Sequence, residues 1–211
     1  MRKLLLLLCI AGITFSMYAQ DLSTIKLKSP DITRGTGVMK ALSDRQSVRE
    51  YSDKMLSDQD LADLLWAANG INRPDGKRTA PSAMNKQDVD VYVFMKQGVY
   101  LYDHTQHALK PVAKGDYRGA VAAGQDFVKE APVSLVLVTD LSRFGSEIKE
   151  HTKLMGAVDV GIVNQNINLA CVVLGLVTVP RATMDQKVLR ELLKLNENQL
   201  LLMNNPVGYP K

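Results

Sequence analysis

The sequence predicts a single α+β domain, and three observations support that prediction. Apolar residues recur at helical spacing in two long segments, whereas residues 89–102 alternate in the manner of paired strands. No internal repeat and no Pro-, Gly- or Ser-rich linker separates these segments. The chain has 211 residues, 46% of them hydrophobic, which is enough for one substantial core. We therefore assign residues 21–211 to one domain.

Residues 1–20 have the composition of a secretory signal peptide. A basic start at residues 1–3 precedes an uncharged, Leu-rich run over residues 4–17, and the first acidic residue is Asp21. A membrane anchor is the alternative, but an anchor normally needs about 20 apolar residues and this run is at or just below that length. We expect an exported, periplasmic protein with no stable membrane insertion after signal cleavage. The cleavage site stays open.

The formal net charge of +4 is too small to indicate a nucleic-acid partner. Removing Arg2 and Lys3 with the signal leaves 24 of the 26 basic residues against 22 acidic ones. The remaining charges are evenly spread, without a Lys/Arg block or a basic stripe interleaved with aromatic residues. We therefore expect no binding to nucleic acid.

The helices of the N-terminal half follow from local start and stop signals. Residues 36–42 predict a short helix. Ser57 is the expected N-cap of a longer one, because acidic residues fill the first turn after it, and Gly70 ends that helix. Residues 72–80 predict a loop by their Asn, Pro, Gly and charged composition.

Strands are predicted where short apolar runs are bounded by turn residues. Residues 89–93 and 99–102 flank a Lys-Gln-Gly turn and predict a β-hairpin. Residues 133–138 predict a buried strand. Residues 199–203 predict the last strand, which the Asn-Asn-Pro sequence after it should end.

The C-terminal half is dominated by a long apolar helix, predicted over residues 157–176. It has room for a seam between two copies of the chain. Thr183 and Gln186 have the spacing of a capping box before a further apolar, helical run. Cys171 lies in the long helix, where a small core residue is more common than a nucleophile.

Conventional catalytic and metal-binding motifs are absent from the sequence. There is no nucleophile elbow, no phosphate loop, no dinucleotide fingerprint and no cysteine pair. His104 and His107 are three residues apart at a turn, but no third ligand accompanies them, so we expect a solvated hairpin end and no metal site.

One charged motif stands out, Arg45-Gln46-Ser47-Val48-Arg49. In an extended chain, the alternate residues Arg45, Ser47 and Arg49 lie on one side. Two guanidinium groups and a hydroxyl that converge suit a phosphate or another anionic, planar acceptor. Solvated surface arginines are the plainer interpretation. A second segment, residues 80–87, combines a rigid proline with short hydrogen-bonding side chains and is by itself only a loop.

Several motifs follow one another in a fixed order over residues 34–211. They are Arg45-x-Ser47-x-Arg49, Leu64-Leu65-Trp66-Ala67-Ala68-Asn69-Gly70, Pro81-Ser82-x-x-Asn85, Gly98-Val99-Tyr100-Leu101-Tyr102-Asp103, Asp159-x-Gly161 and Pro206-Val207-Gly208-Tyr209-Pro210. In this order they resemble the FMN-dependent nitroreductase family, and the SagB-type dehydrogenase branch in particular. No single motif would be specific, but together they cover nearly the whole mature chain.

The resemblance implies a three-layer sandwich, with a mixed or antiparallel sheet between helices, that works as an intertwined homodimer. One FMN would lie at each of two subunit interfaces. The resemblance assigns its contacts to four segments: Arg45, Gln46, Ser47 and Arg49; Pro81, Ser82, Ala83, Met84 and Asn85 from the partner; the backbone of Pro180, Arg181, Ala182 and Thr183; and the terminal Lys211. Arg45 and Ser47 would bind the phosphate and ribityl end, and Arg49 the edge of the ring near N1.

The chemistry implied is two-electron transfer through flavin N5, for which no catalytic side chain is needed. The donor would be NAD(P)H or, because NAD(P)H is scarce outside the cytoplasm, an extracytoplasmic reductant. The acceptor would be a nitroaromatic, quinone-like or other conjugated small molecule. The alternatives are a SagB-type dehydrogenase of azoline rings, a flavin-binding protein without turnover, and a dimer of the same fold that has lost its flavin.

Overall fold

The computed structural model describes residues 22–211, so the predicted signal peptide at residues 1–20 lies outside the described residues. The helices are α1 (Val38–Asp44), α2 (Asp58–Asn69), α3 (Arg118–Ala122), α4 (Phe127–Glu130), α5 (Glu150–Val173) and α6 (Gln186–Leu192). The strands are β1 (Ile25–Lys26), β2 (Val89–Met95), β3 (Gly98–Asp103), β4 (Ala108–Lys114), β5 (Val133–Asp140), β6 (Val177–Thr178) and β7 (Gln199–Gly208). Short 3₁₀ turns occur at Ala83–Asn85 and Leu141–Phe144.

The strands form one sheet in the order β1-β4-β3-β2-β5-β7-β6, and every pairing in it is antiparallel. The predicted hairpin is confirmed as β2 and β3, in which Val93 lies opposite Tyr100. The predicted buried strand is β5, at the centre of the sheet between β2 and β7. The α+β prediction is therefore confirmed.

Both faces of the sheet are buried, because side chains alternate along its central strands. On β2, Val91 and Val93 pack into a core with residues of α2 and α5. Tyr92 and Phe94 point the other way, into a second core with residues of α3, α4 and α6. The resulting three layers are those that the family resemblance implies.

The ends of the two long helices, α2 and α5, were predicted with different success from the residues near them. The ends of α2 are as predicted: Ser57 Oγ accepts the N–H of Asp60 (3.1 Å), and the N–H of Gly70 donates to Trp66 O (2.7 Å). The predicted bounds of α5 were wrong, since the helix spans Glu150–Val173 rather than residues 157–176. Its first turns are polar and largely exposed, so no apolar period marks them.

Two further predictions near the C-terminus need correction. The N-cap of α6 is Asp185 rather than Thr183, because the Asp185 carboxylate accepts the N–H of Val188 (3.0 Å). The last strand does not end at its Asn-Asn-Pro sequence but continues to Gly208. Pro206 lies opposite Ser134 within it, and its carbonyl accepts from the Thr178 hydroxyl (2.8 Å), so the strand tolerates a missing N–H there.

Among the described residues, α5 is the one helix long and apolar enough to cross a membrane. Half of its most apolar window is buried, and the helix packs against α2 and the sheet, as the core helix of a globular domain does. One side of it is not covered by the rest of the chain: Leu154 is 58% exposed and Val158 47% exposed. Val38 and Met39 of α1 are exposed as well.

Candidate functional site

The arginine-rich motif lies in the irregular segment that follows α1. The N–H of Val48 donates to Thr178 O (3.0 Å), and the buried Tyr51 hydroxyl donates to Val48 O (3.0 Å). Val48 is thereby tied to β6, while Gln46, Ser47 and Arg49 are all exposed. Arg45 is half-buried.

The two arginines of the motif are unlike the other arginines of residues 22–211. Seven of those nine arginines donate hydrogen bonds to carboxylates, carbonyls or an imidazole: Arg34, Arg73, Arg78, Arg118, Arg143, Arg181 and Arg190. Within the same residues, Arg45 and Arg49 make no hydrogen bond and no ion pair. Their five N–H donors each remain available to an external acceptor, for which a phosphate has matching geometry.

A cavity of about 220 Å³ adjoins this motif. Gln46 and Val48 line one side of it, the C-terminal part of α5 lines another, and Pro210 contributes from the end of the chain. The exposed Lys211 follows Pro210 directly and so adds a positive charge to the same region. Cys171 lies in the wall, where burial raises the pKa of its thiol, so it is an uncharged core residue, as predicted.

The second predicted segment is a tightly bonded loop. The N–H of Gln87 donates to Ser82 Oγ (2.7 Å), and the N–H of Asn85 donates to Ser82 O (3.0 Å). Met84, Asn85 and Gln87 all have φ near +50°, the left-handed region that side chains disfavour. Met84 is 73% exposed at the tip of the loop. The loop therefore presents an apolar and an amide side chain on a fixed, strained backbone.

The loop is attached to α5 through Asp159. The backbone N–H of Ala83 donates to the Asp159 carboxylate, and its nitrogen lies 3.0 and 2.9 Å from the two oxygens. The cavity beside the arginine motif reaches Cys171 on the same helix. Twelve residues of helix separate Asp159 from Cys171, a rise of about 18 Å. One copy of the chain thus keeps the two predicted segments apart, at different positions along α5.

The third segment, residues 180–183, lies next to β7. Arg181 and Asn204 exchange backbone hydrogen bonds of 2.9 and 2.7 Å, so the N–H of Arg181 is already bonded. The Arg181 guanidinium is buried, and Nη1 donates to Asn204 Oδ1 (2.6 Å), so this side chain faces the core rather than a ligand. Within this segment, the exposed residues Ala182 and Thr183 each have a backbone N–H that finds no acceptor among residues 22–211.

The two histidines at the β3–β4 turn are engaged within the chain. Arg78 donates to His104 Nε2 (2.9 Å), and burial together with the Arg78 charge lowers the pKa of His104 to about 4. His107 Nδ1 lies 2.8 Å from the Tyr102 hydroxyl. No set of three metal-ligating side chains occurs within residues 22–211.

Sequence reasoning gave no role to two buried carboxylates near the loop. Asp159 is 2% exposed, and Asp88, which precedes β2, is 0% exposed. For Asp159 the signal was present, because an acidic residue interrupts a helix face formed otherwise by Val160, Val163 and Ile167. For Asp88 no local pattern exists, since the Thr139 hydroxyl that donates to its carboxylate lies 51 residues along the chain.

The comparisons with known proteins agree with this geometry. Residues 42–209 match the model of the nitroreductase family. The chain belongs to the nitroreductase family. It is 31% identical over 194 residues to a Methanocaldococcus jannaschii protein named as a nitroreductase, covering 88% of this chain and 96% of that protein. A crystal structure of a nitroreductase from Ralstonia eutropha superposes with a TM-score of 0.82 at 35% identity, covering 89% of this chain and 90% of that one.

A further relative bears on the cofactor of this nitroreductase-family protein. The FMN reductase that uses NAD(P)H in Bacillus subtilis is 28% identical over 187 residues, which is 82% of this chain and 66% of the relative. Family membership makes the chain an oxidoreductase, and this relative indicates a flavin as the class of cofactor.

Proposed function

We propose that the protein is an FMN-dependent oxidoreductase that moves two electrons from a reductant to a conjugated small-molecule acceptor. The observation that supports it most directly is that Arg45 and Arg49 are unpaired, whereas the other seven arginines of residues 22–211 all donate hydrogen bonds within the chain. The two free guanidinium groups belong to the segment whose Gln46 and Val48, with Asp44 before them, line a cavity of about 220 Å³. Such a segment suits a ligand with a phosphate at one end and a planar ring at the other.

In the proposed site, Arg45, Gln46, Ser47 and Lys211 bind the phosphate and ribityl end, and Arg49 places positive charge beside the ring. FMN, when bound, supplies the two-electron chemistry. A fixed positive charge at the ring edge stabilises negative charge that develops there during reduction. The N–H groups of Ala182 and Thr183 remain to donate at the opposite edge. No side-chain acid or base is required, so these residues orient the ring and exclude water.

We further propose that the site is completed by a second copy of the chain. Asp159, which anchors the loop of residues 81–85, lies about 14 Å along α5 from Asn168, the nearest residue of that helix in the cavity wall. We therefore expect the loop of a partner to complete the cavity. Leu154 and Val158 are exposed on the N-terminal half of α5, and Val38 and Met39 are exposed on α1, so such a partner would find apolar side chains at two places. Burial of these side chains would favour a homodimer.

The cofactor assignment is tested by titrating purified protein with FMN and following flavin fluorescence. We expect Arg45→Ala and Arg49→Ala each to weaken FMN binding by about 10- to 100-fold, the loss of a charge-assisted hydrogen bond. The control is Arg73→Ala, an exposed arginine that donates to Arg78 O (3.1 Å), and it should bind FMN like the wild type. A wild-type protein that is colourless and leaves the fluorescence of added FMN unchanged would refute the proposal.

The electron donor and the cell compartment need separate experiments. We propose that the protein is exported, on the strength of the basic and Leu-rich residues 1–20, and that the physiological reductant is extracytoplasmic. Steady-state assays with NADH, NADPH and a quinol, together with cell fractionation, examine both points. Efficient turnover with NADPH alone, and recovery in the cytoplasm, would contradict them.

Within the family, we propose the SagB-type branch, supported by the order of motifs from Arg45 to Tyr209. The export signal argues against a peptide azoline as the substrate, because a modifying enzyme of that kind would act alongside a cytoplasmic cyclodehydratase. A nitroaromatic or quinone-like acceptor is therefore the substrate class to assay first.

A further inference from the structure

A cavity of about 340 Å³, which we name the turn cavity, lies between the β3–β4 turn, the segment that begins with β1, and α2. It shares no lining residue with the cavity beside the arginine motif, so the two are separate places on the molecule. Small-molecule sites typically have volumes of about 300–1,000 Å³ and walls that are mostly apolar and aromatic. The apolar part of this wall consists of Leu27, Pro30, Trp66, Ile71 and Tyr102. The turn cavity therefore has room for a molecule with one aromatic ring.

His104 brings a free hydrogen-bond donor to the turn cavity. Its Nε2 lies 2.9 Å from Nη2 of Arg78, and a guanidinium has only donors, so Nε2 accepts. Burial, together with the Arg78 charge, lowers the pKa of His104 to about 4, so the ring is neutral at pH 7. A neutral ring whose Nε2 accepts carries its proton on Nδ1. That N–H has no acceptor among residues 22–211 and is left for a ligand.

His107 adds a second donor from the other end of the turn. The Tyr102 hydroxyl lies 2.8 Å from its Nδ1, and donation by that hydroxyl leaves the proton of the neutral ring on Nε2. Nε2 is buried and makes no hydrogen bond of ordinary geometry within residues 22–211, although the Lys28 backbone partly opposes the lowering of the ring's pKa by burial. His107 also has a φ of +45°, a left-handed conformation that costs a side chain about 1–2 kcal/mol and that glycine or asparagine adopts more readily. A histidine at such a position favours a role for its imidazole, since strained residues concentrate at functional sites.

Positive charge predominates around the turn cavity. Lys26 lines it and donates to a carbonyl of the turn, and no carboxylate among residues 22–211 pairs with it. None of the eleven residues of the wall is acidic. The two carboxylates whose charges reach the histidines are already paired, Asp103 with Lys110 (2.6 Å) and Asp63 with Arg34 (2.6 Å). Free donors and an unpaired cation together suit an anionic ligand.

We propose that the turn cavity binds a small aromatic carboxylate, at a site independent of the proposed cofactor site. The ring of the ligand lies against Trp66, and its carboxylate accepts from Lys26 and the two histidines. The indole is held in place because its Nε1 donates to Ile71 O (2.9 Å), so it offers a fixed aromatic face. An inorganic anion would leave this wall uncovered, and a neutral aromatic molecule would leave the charge of Lys26 unbalanced. Only a ligand with both features uses the whole cavity.

Trp66 is the only tryptophan in the chain, so its fluorescence reports on the turn cavity. The purified protein, with whatever flavin it carries, is titrated with benzoate, with neutral benzamide and with acetate at constant ionic strength. We expect a saturable change with benzoate and a Kd of roughly 1 mM or less, the scale for a ligand of this size. Benzamide and acetate should bind at least about tenfold more weakly, because each lacks one of the two features. No response to benzoate, or equal affinities for benzoate and benzamide, would overturn the proposal.

Two variants locate the response in the turn cavity. Lys26→Met removes an exposed ammonium group and should weaken benzoate binding about fivefold. His107→Asn removes the imidazole but suits the left-handed backbone, and it should weaken binding about tenfold. The controls Lys129→Met and His151→Asn make the same changes at exposed residues outside the cavity and should bind benzoate like the wild type. Thermal unfolding checks that each variant is folded, and Lys26→Met decides the test if the turn variant is not; wild-type affinity in the folded variants would overturn the proposal.

Bound FMN distinguishes this site from the proposed cofactor site, because a ligand beside the flavin changes its visible absorption. Benzoate in the turn cavity should alter tryptophan emission and leave the flavin spectrum unchanged. A benzoate response that Arg49→Ala abolishes and Lys26→Met leaves intact would place the ligand at the cofactor site and overturn this proposal. A protein that binds no FMN would refute the proposed function, and the tryptophan titration would still test the turn cavity.

Discussion

Replacing Arg181 with methionine should destabilise the domain strongly, because its guanidinium connects α3 to β7 without a carboxylate partner. Nη1 donates to Val121 O (3.1 Å) and Asn204 Oδ1 (2.6 Å), Nη2 to Ala122 O (3.1 Å), and Nε to Gln125 Oε1 (3.1 Å). Arg181 is 7% exposed, and burial lowers its pKa. These carbonyls end α3, where a positive charge is favourable.

The magnitude follows from the acceptors that methionine would leave without a donor. Ala122 O keeps a hydrogen bond from the N–H of Gln125 (3.0 Å), but Val121 O and Asn204 Oδ1 have no other donor among residues 22–211. Each unsatisfied buried acceptor costs about 1–3 kcal/mol, so the expected loss is roughly 2–6 kcal/mol. For a domain of this size that corresponds to a fall in Tm of roughly 5–20 °C.

Urea and thermal unfolding of the cofactor-free protein measure the effect, since a bound ligand would mask part of it. Arg73→Met is the matched control, because it makes the same chemical change at an exposed arginine with one hydrogen bond to Arg78 O. We expect that control to change the free energy of unfolding by less than about 1 kcal/mol. If Arg181→Met were as stable as Arg73→Met, the structural role assigned to Arg181 would be wrong.

Three further changes probe other parts of the domain. Gly156→Ala on α5 should lower the free energy of unfolding by about 1–3 kcal/mol, because the new Cβ would lie 2.6 Å from the Thr139 hydroxyl oxygen on β5. Its control is Gly119→Ala, whose Cβ would have one neighbour at 3.9 Å, and which should stabilise α3 by about 0.5–1 kcal/mol. In the chain from residue 21 onward, the Cys171 thiol should react with a thiol reagent only after denaturation, since burial raises its pKa and shields it; rapid labelling of native protein would contradict this. Burial raises the pKa of Asp60, but hydrogen bonds that include one from Arg34 outweigh it and hold the pKa below 3.8. The resulting stabilisation is present at pH 7 and is lost as the pH falls. Arg34→Ala should therefore lower the free energy of unfolding by about 1 kcal/mol at pH 7 and by little at pH 3, as measured by urea titration.

The sequence predicted the elements whose signals are local and failed where pairing is distant. The β2–β3 hairpin and α2 have their turn, cap and stop residues within a few positions, and both were located well. β4 was missed because its sequence contains Pro111 and two lysines and shows no alternation, and β1 is only two residues long. Both are strands only because β3 and β4 provide partners for them.

The same distinction applies to the candidate site. The Arg45–Arg49 motif could be recognised as a candidate anion site because its spacing alone puts both charges on one side of an extended chain. That these two arginines are unpaired, and that the Arg181 side chain faces the core, depends on the positions of every other side chain. The hydrogen bond from the Ala83 N–H to the Asp159 carboxylate joins residues that are 76 positions apart in sequence, so only the fold could reveal it.

The positions of the two proposed half-sites on α5 also restrict how two copies could be arranged. A two-fold axis perpendicular to a helix exchanges residues at equal distances from the axis, so it pairs Asp159 of one copy with Cys171 of the other only if it passes near Gln165. Gln165 is exposed, as is Gly161 one turn earlier, whose missing Cβ would meet no atom of its own chain within 4 Å. The close approach of two antiparallel α5 helices is therefore possible at the point that the proposed split site requires. One such contact would complete two identical sites of the proposed kind at once.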